Sequence, residues 1–174
     1  MRRVLVIDDH QPSRRHLVAI LNSRGYEIAG EGANSQNALA LARTAAPDVI
    51  LMAVGLPEVD GIETSRDVLQ AHPLPIVLIT SHYDSTTIER AKRAGVMGYL
   101  DLVKPLRPEE LSPAIELAIT RFKILPRSVR KFGFKEEFGG AKIHRGAKGL
   151  FNGRAKPVGR PGLHTDEEGQ HEYA

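Results

Sequence analysis

Polar residues follow three of the apolar runs in this sequence, and their types could hold a metal ion beside a phosphoryl group. Asp8 and Asp9 follow the first run, Thr80 follows the fourth and Lys104 ends the fifth. Neighbouring carboxylates repel each other, and a hard divalent cation such as Mg²⁺ relieves that repulsion. A hydroxyl and an ammonium suit phosphoryl oxygens, which accept hydrogen bonds and attract positive charge. Strand ends are also polar where they simply meet water, so only the combination of all three favours this chemistry.

The elements that must position these residues alternate between short apolar runs and segments of helical period. Continuous apolar runs indicate strands buried on both faces, as in a parallel sheet covered by helices. We therefore predict an α/β fold, a doubly wound five-stranded parallel sheet with its site at the carboxyl ends of the strands. No Gly-x-Gly-x-x-Gly follows the first strand, and no Walker Gly-Lys-Ser/Thr occurs. The predicted strands are 4–7, 26–30, 49–52, 76–79 and 96–103, and the predicted helices are 12–24, 35–46, 61–71, 86–94 and 108–122.

The composition changes near residue 122. Residues 1–122 carry 13 basic and 15 acidic residues, whereas residues 123–174 carry 11 basic and 6 acidic residues and nine of the 16 glycines. We expect a globular domain over 1–122 and a largely disordered, Gly-rich basic tail over 123–174.

The absence of cysteine excludes disulfides, thiolate catalysis and Cys-based metal sites. Because no apolar run is long enough to span a bilayer, we expect a cytoplasmic protein without a membrane partner.

Residues 1–122 resemble the receiver domain of two-component response regulators. The resemblance implies a flavodoxin-like receiver fold, a place in phosphorelay signalling and a sensor histidine kinase as partner. It also implies a non-enzymatic module that forms a homodimer through its fourth helix, fifth strand and fifth helix. Four separate motifs carry the resemblance: 4–10, ending in Asp-Asp-His; 47–61, ending in Asp-Gly; Thr80; and Lys104-Pro105.

The same resemblance assigns roles to individual residues. Asp8 and Asp9 match the acidic pair that helps hold Mg²⁺. Thr80 matches the switch hydroxyl, Lys104 matches the lysine that contacts the phosphoryl group, and Tyr99 matches the aromatic switch residue. Tyr99 could equally be a half-buried aromatic with no switching role.

The phospho-accepting aspartate of that family is missing. Its position, directly after the third apolar run, is occupied by Ala53. A methyl group can neither accept a phosphoryl group nor coordinate a metal, so we expect Mg²⁺ to bind weakly or not at all. Asp60 lies beyond the following loop, where a helix cap is the expected role.

The fifth strand also departs from the family pattern. The segment 98–105 is two residues longer than the family's Gly-Tyr-Leu-Val-Lys-Pro. Two extra residues preserve the alternation of side chains, so Lys104 can still face the site, at the cost of a bulge or a shift of Tyr99.

Residues 95–100 and 113–122 look most like receivers that precede an ANTAR-type RNA-binding antiterminator domain. The tail shows no helical period that such a domain would need. We also considered the amino-acid sequences that the tail's codons would encode if the reading frame were shifted by one base, with synonymous codons chosen freely. In three segments, 138–145, 148–155 and 163–173, the shifted frame permits amino-acid sequences that resemble an ANTAR domain. We hypothesise that the tail is an out-of-frame remnant of an ANTAR domain.

Other functions remain open at this point. The basic residues of 142–160 could form a flexible arm on RNA, although only Phe151 offers a base-stacking ring there. An RNA-binding antiterminator with a lost or corrupted effector domain is the main alternative to a receiver module. A phosphatase of similar topology would need an Asp-x-Asp pattern after the first strand, which the Asp8-Asp9 pair does not supply.

Overall fold

The computed structural model describes residues 1–81, 84–101, 106–126 and 130, without the side chain of residue 101. Over these residues the five strands form one parallel sheet in the order β2-β1-β3-β4-β5. This order confirms the predicted flavodoxin-like receiver fold. The elements are β1 (Arg3–Ile7), α1 (Gln11–Ser23), β2 (Glu27–Gly32), α2 (Ser35–Thr44), β3 (Val49–Ala53), α3 (Gly61–Ala71), β4 (Ile76–Thr80), α4 (Ser85–Arg93), β5 (Gly98–Asp101) and α5 (Pro108–Ile124).

The core lies on both faces of the sheet. The apolar residues 4–7 of β1 and 49–52 of β3 are completely buried, and 76–79 of β4 are nearly so. Strands with no exposed side chain require helices on both faces, as the continuous apolar runs predicted. The helices complete this core with the apolar residues of their inward faces, such as Leu17, Val68 and Ile115.

Short polar side chains begin α2 and α4. Asn34 caps α2 by accepting a hydrogen bond from the Asn37 amide at 2.8 Å. Asp84 caps α4 in the same way, accepting from the amide of Thr87 at 2.8 Å. Each side chain satisfies an amide that has no partner within the first turn of its helix.

The starts of β2 and β5 differ from the sequence prediction in the same way, and β1 begins one residue early, at Arg3. β2 begins at Glu27 rather than at Tyr26, because the Tyr26 amide donates back to the Leu21 carbonyl at the end of α1. β5 begins at Gly98 rather than at Val96, because the Val96 amide donates to Ala91 and so completes the end of α4. In both cases the helix takes the backbone donor that the strand would have used.

The predicted bulge of the fifth strand is not found in its described part. β4 and β5 pair in regular register from Val77–Gly98 to Thr80–Asp101. Residues 102–105, where a bulge would also fit, lie outside the described residues. The sheet's register shifts between Val4 and Leu5 instead, where β1 pairs with β2.

α5 is two residues longer than predicted and ends at Ile124. Leu125 adopts an extended backbone (φ −71°, ψ 143°) ahead of Pro126, as expected for a residue that precedes proline. On this helix Ala114 and Ile119 are buried, whereas Leu117 is only half-buried. In the described part of the chain, no helix has both the length and the apolar character to cross a membrane.

The described residues end at Arg130. Its amide donates to the Pro126 carbonyl at 3.0 Å, and its guanidinium lies 5.7 Å from the centroid of the Phe122 ring. The predictions made for the tail concern disorder, an RNA-binding arm and an out-of-frame ANTAR remnant. The RNA-binding arm and the out-of-frame remnant fall on 131–174, outside the described residues. The disordered tail was predicted from residue 123, but residues 123 and 124 belong to α5, and the rest of that prediction lies mostly outside the described residues.

Candidate functional site

The parallel register brings three of the predicted site residues to neighbouring strand ends. Ile7 pairs with Met52, so Asp8 follows β1 beside Ala53, the last residue of β3. Ala53 pairs with Ile79, and Thr80 is the next residue of β4. The order β1-β3-β4 therefore places the alanine between the acidic residue and the threonine.

Asp8 is buried and has protein donors on both carboxylate oxygens. Its Oδ2 accepts from the Ser13 hydroxyl at 2.6 Å, and its Oδ1 accepts from the His10 amide at 2.9 Å. Only 4% of the surface of Asp8 is accessible to solvent. A buried carboxylate is costly unless it is hydrogen-bonded, so these two donors stabilise it where it lies.

The Arg14 guanidinium adds positive charge beside Asp8. It donates to the Asp8 backbone carbonyl and pairs with the Glu31 carboxylate at 3.4 Å. Asp9, the second acidic residue, is exposed. The two aspartates therefore differ: one is buried and hydrogen-bonded to α1, and the other faces solvent.

The loop after β3 is held tightly against the end of that strand. The Gly61 amide donates to the Val54 carbonyl at 2.8 Å, and the Val54 amide donates to Ile79 of β4 at 2.9 Å. A Cβ added to Gly61 would lie only 2.0 Å from the Ala53 carbonyl oxygen. The sequence prediction did not identify this close approach, for which glycine is needed at position 61.

Glu58, in the same loop, has a left-handed backbone with φ of 67°. A residue with a Cβ adopts this conformation at a cost of about 1 kcal/mol, which surrounding contacts must offset. The Val59 amide donates to the Pro57 carbonyl at 2.8 Å across this residue. The backbone beside position 53 is thus closely constrained.

The remaining predicted site residues lie in different surroundings. Thr80 is buried at the end of β4. Tyr99 is 2% exposed and pairs with Leu78 in the middle of the β4–β5 ladder, so it is fully buried rather than half-buried. Lys104, the predicted phosphoryl contact, lies outside the described residues.

Asp60 caps α3 as predicted and also contacts α4. Its Oδ1 accepts from the amides of Ile62 and Glu63 at 3.0 and 2.9 Å, and its Oδ2 accepts from the Arg90 guanidinium. Partial burial raises the Asp60 pKa, but the Glu63 amide and Arg90 outweigh it, so the pKa lies below its usual value. The same pair raises the pKa of Arg90.

Sequence reasoning missed Ser13, Arg14 and Arg90 as partners of the acidic residues. The sequence placed Ser13 only at the start of a helix. Its position five residues after Asp8, in the first turn of α1, lets its hydroxyl reach the Asp8 carboxylate at the end of β1. Arg90 lies 30 residues from Asp60, and no local pattern relates the two positions.

A comparison with protein families identifies the family to which this fold belongs. Residues 4–116 match the family described as the response regulator receiver domain, which is more than half of the chain. The chain belongs to that family. As a receiver, it is a module of two-component signalling, and receiver domains in general bind Mg²⁺ at their phosphorylation site.

Known proteins similar to this receiver include transcriptional and chemotaxis regulators. The transcriptional regulatory protein PdtaR of Mycobacterium tuberculosis is 41% identical over 122 residues, which are 70% of this chain and 58% of PdtaR. The chemotaxis protein CheY of Thermotoga maritima is 29% identical over 115 residues, covering 66% of this chain and 94% of CheY. The chain thus spans less than two thirds of the length of PdtaR.

A solved structure of similar fold is the signal receiver domain of a modulated diguanylate cyclase from Desulfovibrio desulfuricans G20. It superimposes with a TM-score of 0.65 and 34% identity, covering 71% of this chain and 98% of that domain. The receiver part of this chain thus corresponds to nearly the whole of that domain.

The donor set at the strand ends does not fit the Mg²⁺ site of the family. Position 53 supplies a methyl group where the resemblance implies a third carboxylate. Of the two acidic residues that remain, Asp8 already accepts hydrogen bonds from Ser13 and His10. Among the described residues, no group of three or more His, Cys, Asp or Glu side chains could hold a metal ion.

Proposed function

We propose that this chain is a receiver module that aspartyl phosphorylation does not switch. The observation that carries the proposal is Ala53 at the end of β3, between Asp8 and Thr80. Phosphoryl transfer needs a nucleophilic atom with a free lone pair, and a methyl group has none. The proposal includes weak or absent Mg²⁺ binding, because one of three anionic ligands is replaced.

The proposed module acts through protein contacts and has no catalytic turnover of its own. A sensor histidine kinase is the partner expected from the family, and α4, β5 and α5 form the surface that we propose for output and for a homodimer. The buried Tyr99 supports one fixed arrangement of this surface, because its ring packs in the core rather than at the surface.

The second candidate is an RNA-binding antiterminator of the ANTAR type whose effector domain is lost or corrupted. The similarity to the transcriptional regulatory protein PdtaR favours it, because the 122 matched residues cover only 58% of PdtaR and the rest of that regulator lies outside the match. In this proposal, RNA contact comes from the basic tail or from a restored domain. Sequencing the gene tests the out-of-frame hypothesis, and stop codons in the alternative frame would reject it.

The phosphorylation proposal is tested with a small phosphodonor and Mg²⁺ on three proteins: the present chain, Ala53→Asp and Ala53→Asn. We expect only Ala53→Asp to gain a phosphoryl group in intact-mass measurements, because only that variant supplies a carboxylate at the strand end. Ala53→Asn is the matched control, similar in size but unable to form an acyl phosphate. A stable aspartyl phosphate on the present chain would overturn the proposal.

An RNA gel shift separates the two candidates. A receiver module without an effector domain leaves RNA unshifted at physiological salt. A shift that is lost when residues 131–174 are removed would favour the antiterminator instead. Salt dependence of that shift would identify phosphate contacts by the basic tail.

A further inference from the structure

The Arg90 guanidinium of α4 binds the Asp60 carboxylate at the start of α3. We propose that this ion pair is a latch that fixes α4 to the loop between β3 and α3. The latch goes beyond the proposed function, because it does not depend on whether position 53 can be phosphorylated.

One carboxylate serves both helices. The Oδ1 atom of Asp60 accepts hydrogen bonds from the amides of Ile62 and Glu63 in the first turn of α3. Its Oδ2 atom accepts a hydrogen bond from the Arg90 guanidinium. Because the cap fixes the plane of the carboxylate, the position of Oδ2 is fixed as well. Arg90 therefore binds a pre-positioned partner and loses less conformational freedom than in an ordinary surface pair.

The backbone at Asp60 is fixed to the sheet. The next residue, Gly61, donates to Val54, and Val54 donates to Ile79 of β4. The Gly61 α-carbon also packs so closely on the Ala53 carbonyl that no side chain fits between them. A continuous chain of contacts thus runs from the strand end at position 53 through Asp60 to α4.

α4 has few other inward contacts. Of its nine residues, only Ile88 and Ala91 are buried, and its cap, Asp84, belongs to its own N-terminus. Glu63 and Asp84 add negative charge around Arg90 and favour its charged form. An ion pair contributes a larger share of the attachment where apolar burial is this small.

The latch can be opened in solution. The side chains of Arg90 and Asp60 are 44% and 31% exposed, so salt or an anionic partner surface can compete for the guanidinium. Release would free α4 without disturbing the sheet, because the strands pair through their own backbone ladders.

Residue-resolved amide exchange on the full chain tests the latch in two single variants and the double variant. Asp60→Asn keeps an oxygen to cap α3 but loses the charge, and Arg90→Gln removes the other partner. We expect each to speed exchange in α4 by about two- to five-fold, the range for an exposed ion pair. The double variant should exchange no faster than the faster single variant, and α3 and the sheet should stay unchanged.

Arg93→Gln is the matched control, because Arg93 is an exposed arginine of the same helix. It should leave exchange in α4 unchanged. Raising the salt concentration should speed α4 exchange in the unaltered chain but not in Arg90→Gln. Unchanged exchange in either single variant, additive effects in the double variant, or an equal effect of Arg93→Gln would overturn the latch.

Discussion

The α-carbon of Gly61 packs directly against the carbonyl oxygen of Ala53, so closely that a Cβ at position 61 would come within 2.0 Å of that oxygen. This contact, together with the 2.8 Å hydrogen bond from the Gly61 amide to Val54, sets where α3 begins relative to the strand-end site. Substituting either residue therefore tests how rigidly the loop is held.

Gly61→Ala should destabilise the fold by about 3 kcal/mol, because backbone must move to admit the added methyl group. Gly55→Ala is the control in the same loop, since a Cβ there meets nothing within 4 Å. Its effect should stay within about 0.5 kcal/mol. Urea unfolding measures both, and equal stability of the two variants would contradict the close packing at position 61.

Ser13→Ala should cost about 1.5–3 kcal/mol of stability, since the buried Asp8 carboxylate loses the hydroxyl that donates to it at 2.6 Å. Ser23→Ala is the control within the same helix, because the Ser23 hydroxyl donates only to the Ile20 carbonyl one turn before it. A double-mutant cycle with Asp8→Asn isolates the pair. A coupling energy near zero would show that Asp8 does not rely on Ser13.

Magnesium should have little effect on the present chain. Following the amide resonances of Asp9 and Val54 in a Mg²⁺ titration, we expect no saturable shift at micromolar metal. Ala53→Asp restores a third carboxylate and should bind more tightly, whereas Ala53→Asn should behave like the parent. Micromolar affinity in the parent chain would show that Asp8 and Asp9 suffice.

Asp60 makes stability depend on pH in the acid range. Burial raises its pKa, but hydrogen bonds from Glu63 and Arg90 lower the folded-state pKa below the ordinary 3.8. The resulting stabilisation is therefore present above that ordinary value and is lost as the pH falls through the lower folded-state pKa. Urea midpoints from neutral pH to about pH 3 should fall less steeply for Asp60→Asn.

Arg90→Gln provides the comparison for the acid dependence. It removes one cause of the lowered Asp60 pKa but keeps the α3 cap, so its pH profile should lie between those of the parent and Asp60→Asn. Identical acid profiles for all three proteins would show that Asp60 has the same pKa in the folded and unfolded chains.

Removal of 131–174 should leave the unfolding midpoint unchanged, because the core of the described residues is formed by residues up to Phe122, with Leu125 packed against it and Arg130 over the Phe122 ring. We further predict that limited proteolysis trims the chain between Lys123 and Lys131. Strong amide-exchange protection across 142–160, or a lower midpoint after truncation, would instead reveal a folded second domain.

The sequence determined the fold and the identity of the strand-end residues. Apolar runs such as 4–7 and 49–52 favour strands buried on both faces, and Ala53 directly follows such a run, so its place at a strand end could be inferred from the local pattern. The caps at Asn34 and Asp60 were predictable for the same reason, since a cap bonds to amides two or three residues away.

Only the tertiary structure decided how the site is held together. The hydrogen bond from Ser13 to Asp8, the packing of Gly61 on Ala53 and the ion pair between Arg90 and Asp60 join segments whose separation depends on how strands and helices pack. The complete burial of Tyr99 and the residues at which β2 and β5 begin also depend on how the helices and strands pack together. Sequence spacing specifies contacts within one turn of a helix or along one strand, whereas contacts between elements depend on distances that exist only after the sheet has formed.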